Sequence, residues 1–239
     1  MCRMVGVVSV RPGPLRQWLV DAPHSLRAMS LRGQKAPHRD GFGYAYRDGR
    51  GRMRIFRWGK EGLSAAGEGL PGDLALASDL VVAHLRKASP EFAGRRGGVD
   101  AHPLVYGGLV LAHNGTIRDA QVLDPGPGTD SQRLVRWLAH RWTDGALSGL
   151  AQALEDLLGI VQDYTAINLL LTRSQGLFAF CCFRQDPDYY TLHWKKTPEH
   201  VIVASEPVDQ SPDWQALSNG VVLEVQPNLA VAQRRVKGA

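Results

Sequence analysis

Cysteine is scarce in this sequence, and long apolar runs are absent. Only three of the 239 residues are cysteines, at positions 2, 181 and 182. They form no CxxC or Cys/His zinc pattern, and the adjacent pair would point to opposite faces of a strand. No apolar stretch reaches the roughly 18 residues of a membrane span, and the N-terminus lacks a signal peptide's apolar core. We therefore expect a cytoplasmic chain without disulfides, membrane contact, metal or organic cofactor.

The sequence also lacks a concentrated patch of one charge. The net charge is +5 and the sequence pI is near 9.3, but the arginines are scattered. The densest basic stretches are residues 47–57 and the tail at 234–237, and neither resembles a base-stacking platform of interleaved aromatic side chains. We interpret them as solvated strand edges and a fraying tail, and we expect no nucleic-acid binding.

Most of the sequence has the patterns of β-strands. The length suits one domain, and 44% hydrophobic residues suffice for a full core. About ten strands and three helices are predicted, with the helices between two blocks of hairpins, which indicates sheets packed face to face with helices outside. The predicted strands include residues 5–10, 189–195 and a last hairpin of 214–217 with 221–225, joined by Asn219-Gly220 in a type I′ turn. Residues 131–140 and 147–159 have helical periodicity, and the Gly-rich loop at 91–100 is expected to be mobile.

Cys2 is the first candidate catalytic residue. A small side chain at this position permits removal of Met1, after which one residue carries both a thiol and a free α-amine. An α-amine has a pKa of about 7.7 to 8.0, so it can act as a general base for its own thiol. The alternative is a buried structural cysteine, which is common for this residue type.

Two further elements suit the head group of an amino acid. Arg86 and Ser89 follow an apolar strand, where a planar guanidinium and a hydroxyl could hold a carboxylate, although a surface salt bridge is the ordinary role of such an arginine. Asp130 follows a Gly/Pro loop and could bind an ammonium group, or act only as a helix N-cap.

Asn114-Gly115 comes directly after a strand. Such a pair usually forms a turn, but an asparagine amide beside a glycine N–H also makes an oxyanion hole for acyl transfer. Glycine would let a substrate approach the backbone closely. Thiol, oxyanion hole, cation and anion together fit a γ-glutamyl amide.

At this point the chain resembles the class II glutamine amidotransferases. The matching segments, in the family's order, are residues 1–6, 37–43, 83–89, 101–104, 112–115 and 129–131, followed by 203–207 and the Asn219-Gly220 hairpin. The resemblance implies an α+β fold, the four-layer αββα architecture of N-terminal-nucleophile (Ntn) hydrolases, as a single domain over residues 1–239. It implies no cofactor.

The resemblance also implies a role for each site residue. Cys2 would form a γ-glutamyl thioester, with the oxyanion held by Asn114 and Gly115. The α-carboxylate would bind Arg86 with Ser89, the α-amine would bind Asp130, and His102 with residues 37–43 would shape the pocket.

Two departures from the larger members leave alternatives open. Lys87 stands where those members often have an aromatic residue, and no synthase domain follows the amidase portion. The chain looks more like stand-alone members, including those that resemble the γ-glutamyl hydrolase of ergothioneine synthesis. The substrate could thus be glutamine, with ammonia passed to a separate synthase subunit, or another γ-glutamyl amide without ammonia transfer. A hydrolase of other acyl amides, a partner-dependent glutamine-binding subunit and a homodimer also remain open.

Overall fold

Two antiparallel β-sheets form the centre of the computed structural model, which describes residues 2–59, 76–90, 97–173 and 176–239. In these ranges the strands are β1 (Arg3–Pro14), β2 (Gly41–Arg47), β3 (Met53–Trp58), β4 (Ala77–Arg86), β5 (Leu104–Tyr106), β6 (Leu109–Ile117), β7 (Tyr164–Thr172), β8 (Leu177–Cys181), β9 (His193–Lys196), β10 (His200–Ala204), β11 (Gln215–Ala216), β12 (Val221–Val225) and β13 (Val231–Arg235). One sheet has the order β11-β9-β10-β1-β4-β2-β3 and the other β13-β12-β8-β7-β6-β5.

Helices pack on both sheets. They are α1 (Leu26–Arg32), α2 (Asp130–Arg141), α3 (Leu147–Ile160) and the short α4 (Pro187–Tyr190), with a π-turn at Gln17–Asp21 and a 3₁₀ turn at Ala120–Val122. Helix α1 contacts β1 and β4 of the seven-stranded sheet, whereas α2 contacts β5 and β6, and α3 contacts β12 and β13, of the six-stranded sheet.

The first six residues of β1, Arg3 to Val8, are buried, and the strand lies in the middle of its sheet between β10 and β4. Its successive side chains join different parts of the core, as the twofold periodicity of a strand requires. Met4 packs in a cluster that also contains Leu170 and Leu223 of the other sheet. Val5 packs on the opposite face, with Leu26 of α1. The residue just before this strand is therefore held in the interior rather than at a loose end.

The predicted helix at 131–140 is confirmed, but the prediction that Asp130 caps it is wrong. The N-cap is Thr129, whose hydroxyl accepts from the Gln132 N–H, while the Gln132 side chain accepts from the Thr129 N–H. This capping box satisfies two helix-end N–H groups. Asp130 is the first helical residue, so its carboxylate is available for other partners.

The prediction of a last hairpin is also wrong. Strand β11 pairs with β9 in the seven-stranded sheet, whereas β12 pairs with β8 and β13 in the other. Asn219-Gly220 thus carries the chain from one sheet to the other. Of the two, only Gly220 has a positive φ (77°), which fits a type II rather than a type I′ turn.

Three smaller expectations need correction. Residues 187–190 form α4 and the strand begins only at His193, so the predicted strand over 189–195 is wrong in its first part. The tail does not fray at Arg234, since it lies in β13. The described ranges contain thirteen strands and four α-helices rather than ten and three. Most of the loop predicted to be mobile, residues 91–96, lies outside the described residues.

Candidate active site

Cys2 is held by three contacts at the start of β1. Its backbone N–H donates to Asn114 Oδ1 (2.9 Å), and its carbonyl accepts from the hydroxyl of Tyr189 (3.3 Å). Its Sγ lies 3.7 Å from the Lys87 carbonyl oxygen. The residue is 7% exposed. The Cys2 side chain is therefore nearly buried, and hydrogen bonds fix the backbone N–H and carbonyl on either side of its Cα. This arrangement defines the direction in which the thiol points.

Asn114 lies fully buried on β6 with one half of its amide in use. Oδ1 accepts from the Cys2 nitrogen, while Nδ2 has no hydrogen-bond partner among the described residues. Buried amide donors without partners are rare in folded proteins, because the lost hydration is costly. The free donor on the residue that holds Cys2 is therefore the clearest chemical feature of the site.

Gly115 is required by the sheet itself. A Cβ at this position would lie 1.8 Å from the carbonyl oxygen of Ala166 on β7, and φ is +150°. Both features exclude a side chain, because the two backbones approach too closely for one. The glycine therefore has a packing reason to be present, independent of any contact with substrate.

A buried cation and a buried anion face the same cleft as Cys2. Arg86, at the end of β4, is 5% exposed, and its Nη1 donates to the backbone oxygen of Asp40 (3.4 Å). Asp130 is 7% exposed; its Oδ2 accepts from the Ile117 N–H (3.0 Å) and its Oδ1 from the Ser131 hydroxyl (3.4 Å). The pair thus places opposite charges at one cleft.

The cleft brings six of the seven predicted site residues together. It is lined by Cys2, Arg86, Lys87, Ala88, Ser89, Asp100, His102, His113, Gly115, Thr129, Asp130 and Ser131. Asn114 is the exception: it is fully buried and contacts Cys2, but it is not among the residues that line the cleft. The cleft is small, with a volume of about 30 Å³.

Larger grooves lie elsewhere on the described surface. One of about 510 Å³ runs beside Trp18 and His200, and another of about 530 Å³ lies beside α1. Neither is lined by Cys2, Arg86 or Asp130. Volume therefore does not identify the site here; the convergence of a thiol with paired charges does.

Three buried histidines lie at the cleft: His102 and His113 line it, and His84 lies next to His102. His84 Nε2 contacts the carbonyl oxygen of His113 (3.1 Å), and His113 Nδ1 contacts the Ser131 hydroxyl (2.8 Å). The His102 ring lies 4.3 Å from that of His84, and neither of its nitrogens has a partner among the described residues. Burial lowers the pKa of His84 to about 3 and that of His102 well below its usual range. Burial also lowers the pKa of His113, against the opposing charge of Asp130. The rings are thus neutral near pH 7 and add dipoles rather than charge.

Two residues that support this site received no individual role from sequence reasoning. Asp40 accepts from the Ala88 N–H through Oδ2 (2.9 Å) and donates its own N–H to the Arg86 carbonyl (3.0 Å). Its place in the matched segment at residues 37–43 was a usable signal. Tyr189 gave none, because an aromatic residue within a predicted strand indicates packing.

Neither a metal centre nor a membrane span is found in the part of the chain that the structure describes. No group of three or more His, Cys, Asp or Glu side chains there suits a metal ion. No helix there is both long and apolar enough to cross a bilayer.

Comparisons with known proteins agree on one family. The family model described as "Glutamine amidotransferases class-II" matches residues 1–195. The chain is 24% identical over 264 residues to the protein named "Putative glutamine amidotransferase YafJ" from Escherichia coli (strain K12), covering 92% of this chain and 95% of that one.

Two solved structures are similar over nearly the whole chain. One is a "glutamine aminotransferase class-II domain protein" from Silicibacter pomeroyi, with a TM-score of 0.61, 16% identity, and 98% and 99% of the two chains covered. The other is a "predicted glutamine amidotransferase" from Pseudomonas aeruginosa PA01, with a TM-score of 0.56, 20% identity, and 96% and 98% covered. At these identities the likeness concerns the fold alone.

Proposed function

We propose, from the premise that this chain belongs to the class II glutamine amidotransferase family, that it hydrolyses the side-chain amide of glutamine or of a related γ-glutamyl compound through a thioester at Cys2. The chain is an enzyme of the glutamine amidotransferase type that acts on a small molecule. The observation that carries the specific reaction is the pairing of Cys2 with Asn114, whose amide holds the Cys2 nitrogen and leaves one donor free.

The first step of the proposed mechanism requires removal of Met1. The Cys2 nitrogen then becomes an amine, which Asn114 Oδ1 orients at 2.9 Å. The amine takes the thiol proton, and Sγ attacks the amide carbon of the substrate. The oxyanion that forms accepts hydrogen bonds from Asn114 Nδ2 and the Gly115 N–H, in a site from which water is largely excluded.

Collapse of the tetrahedral intermediate breaks the carbon–nitrogen bond. The proton held by the α-amine passes to the leaving nitrogen, so ammonia departs and the thioester remains. Water then attacks the thioester carbon and gives a proton to the α-amine. When the carbon–sulfur bond breaks, that proton returns to Sγ, and glutamate is released. The sum is glutamine plus water to glutamate plus ammonia.

The head group is positioned by charge. Arg86 and Ser89 bind the α-carboxylate, Asp130 binds the α-ammonium, and the neutral ring of His102 closes the remaining wall. Because Arg86 and Asp130 are both at least nine-tenths buried, each charge gains more from an opposite partner than it would in water. These contacts favour an amino-acid substrate over a simple acyl amide.

The same proposal assigns the fold more finely. The αββα Ntn architecture is supported by three core clusters: one joins the two sheets, one includes α1, and one includes α2 and α3. We propose that residues 1–239 act as one such domain. We also propose that any ammonia acceptor is a separate synthase subunit.

Lys87 favours a second candidate substrate. It lines the cleft, and its carbonyl lies 3.7 Å from Sγ. Its ammonium group donates to the Lys35 carbonyl oxygen (2.6 Å), and we propose that this cation also attracts a leaving group that carries a carboxylate, as in a γ-glutamyl conjugate of an amino acid. No ammonia would be transferred in that case, and the chain would act like the stand-alone γ-glutamyl hydrolases, including the ergothioneine-pathway type.

One assay series tests both candidates. Purified protein is given glutamine, a γ-glutamyl amino acid and a simple acyl amide, and the released glutamate or acid is quantified. The proposal expects turnover of at least one γ-glutamyl compound, none of the acyl amide, and none by Cys2→Ala. Undiminished activity in Cys2→Ala would overturn it. Preference for the conjugate over glutamine that disappears in Lys87→Met would favour the second substrate.

A further inference from the structure

Arg3, the residue after the proposed nucleophile, is completely buried. Its Nε forms an ion pair with Glu206 Oε1 at 2.6 Å, although the N–H is not aligned for a hydrogen bond. Nη1 and Nη2 donate to the carbonyl oxygens of Tyr189 and Gln34, both at 3.3 Å. A fully buried guanidinium is costly unless it is paired and hydrogen-bonded, so this site has been built around it. The alternation of side chains along β1 puts Arg3 on the face opposite the Cys2 thiol.

Tyr189 connects this buried charge to the nucleophile. Its ring lies under the guanidinium, with Arg3 Cζ 3.9 Å from the ring centroid. Its hydroxyl donates to the carbonyl oxygen of Cys2 at 3.3 Å. The ring position that Arg3 fixes therefore determines where the hydroxyl meets Cys2.

The segment Ser205-Glu206 completes the arrangement. Ser205 exchanges two hydrogen bonds with Met4: the Met4 N–H donates to Ser205 Oγ and the Ser205 N–H donates to the Met4 carbonyl, both at 3.0 Å. Glu206 Oε1 accepts from the Gln34 N–H (3.0 Å) as well as facing Arg3. Residues 2–4 are thus held from one side by groups that lie more than 180 positions away in sequence.

We propose that Arg3, Tyr189 and Glu206 form a positioning clamp that fixes the Cys2 main chain, and with it the attack geometry of the thiol. This inference rests on the proposed function of Cys2. The clamp members touch no substrate; they act through Cys2. Because the reacting atoms must be placed to within a fraction of an ångström, loosening the clamp lowers kcat and leaves KM largely unchanged.

The sharpest test compares Tyr189→Phe with Tyr190→Phe. The two tyrosines are neighbours, are 1% and 2% exposed, and each donates its hydroxyl over 3.3 Å, but Tyr190 donates to Thr165 rather than to Cys2. Steady-state hydrolysis of the best γ-glutamyl substrate and thermal unfolding are measured for both. Tyr189→Phe is expected to lose about 10- to 100-fold in kcat with KM within about twofold, while Tyr190→Phe stays close to wild type in both. Equal kcat values for the two variants would overturn the clamp.

A second pair of variants guards against misfolding as the explanation. Glu206→Gln keeps the shape but removes the charge that faces Arg3, and Arg3→Lys keeps the charge but loses the fork of donors. Both should lower kcat, and Arg3→Lys should retain more activity than Arg3→Met. A loss of activity that tracks only the drop in melting temperature across these variants would contradict a positioning role.

Alkylation of Cys2 by iodoacetamide separates this inference from the proposed function, because it needs no substrate. The clamp predicts that the alkylation rate of Tyr189→Phe differs from that of Tyr190→Phe, even where no hydrolysis is found, because only the first change alters how Cys2 is held. Absence of hydrolysis in the wild type would refute the proposed function alone. Active, Cys2-dependent wild type with identical alkylation and kcat in both tyrosine variants would refute the clamp alone.

Discussion

Replacing Asn114 with aspartate distinguishes the role of the amide oxygen from that of the amide nitrogen. The change keeps an oxygen to accept from the Cys2 nitrogen but removes Nδ2, the donor that has no partner among the described residues. If that donor stabilises the oxyanion, its loss lowers kcat by about 100- to 1,000-fold, equivalent to about 2.7 to 4 kcal/mol. KM should change little, because the proposed contacts with the bound substrate are made by Arg86 and Asp130.

Asn168 provides a matched control. It is also fully buried and lies directly opposite Asn114 on β7, but both halves of its amide are in use. Nδ2 donates to the Tyr190 carbonyl and Oδ1 accepts from the Cys182 N–H. Asn168→Asp places two oxygens face to face and should lower the free energy of unfolding by about 1 to 3 kcal/mol more than Asn114→Asp does.

The two variants should therefore diverge. Urea unfolding and steady-state kinetics are measured on both, with alkylation of Cys2 as a check that the thiol is present. Asn114→Asp is expected to lose mainly kcat, and Asn168→Asp mainly stability. An Asn114→Asp enzyme that retains more than about half of wild-type kcat would refute the assignment of Nδ2 to the oxyanion.

Three more predictions concern the frame of the site. Asp40→Ala removes the acceptor of the Ala88 N–H and should raise KM by about 5- to 20-fold with little change in kcat, as steady-state kinetics will show; a pure kcat effect would contradict it. Gly115→Ala forces a methyl group against the Ala166 carbonyl and should cost about 2 to 5 kcal/mol of unfolding free energy in urea melts, whereas an unchanged midpoint would contradict the close approach. Burial lowers the folded-state pKa of His84 to about 3, so between about pH 6.5 and 3 the unfolded state binds a proton that the folded state does not. The free energy of unfolding should therefore fall with falling pH, by up to about 1.4 kcal/mol per pH unit from this residue. His84→Gln should reduce that slope.

Local patterns in the sequence predicted much of the fold. The helical patterns located α2 and α3 closely, because their buried side chains recur at the helical period within a short stretch of sequence. The pairing of strands that are distant in sequence could not be predicted. The crossing of the chain at Asn219-Gly220 depends on which sheet offers a free edge to β11 and which to β12, and neighbouring sequence does not encode that choice.

The candidate site could also be predicted only in part from the sequence. Chemistry-bearing residues in short motifs, such as Arg86 and Asp130, were found from sequence, and the structure brings them to one cleft. Tyr189 was not found, because its contact with Cys2 joins residues 187 positions apart and has no local pattern. The unused donor of Asn114 was also invisible, since only the three-dimensional arrangement shows which half of the amide is occupied.

The most direct test of the central claim is covalent labelling of Cys2. Purified protein is first weighed intact to confirm that Met1 is absent, then treated with 6-diazo-5-oxo-norleucine, a glutamine analogue that alkylates the nucleophile. The account predicts a single adduct that maps to Cys2 and is prevented by excess glutamine or the preferred γ-glutamyl substrate. Retained Met1 in active enzyme, or an adduct on another residue with Cys2 unmodified, would contradict it.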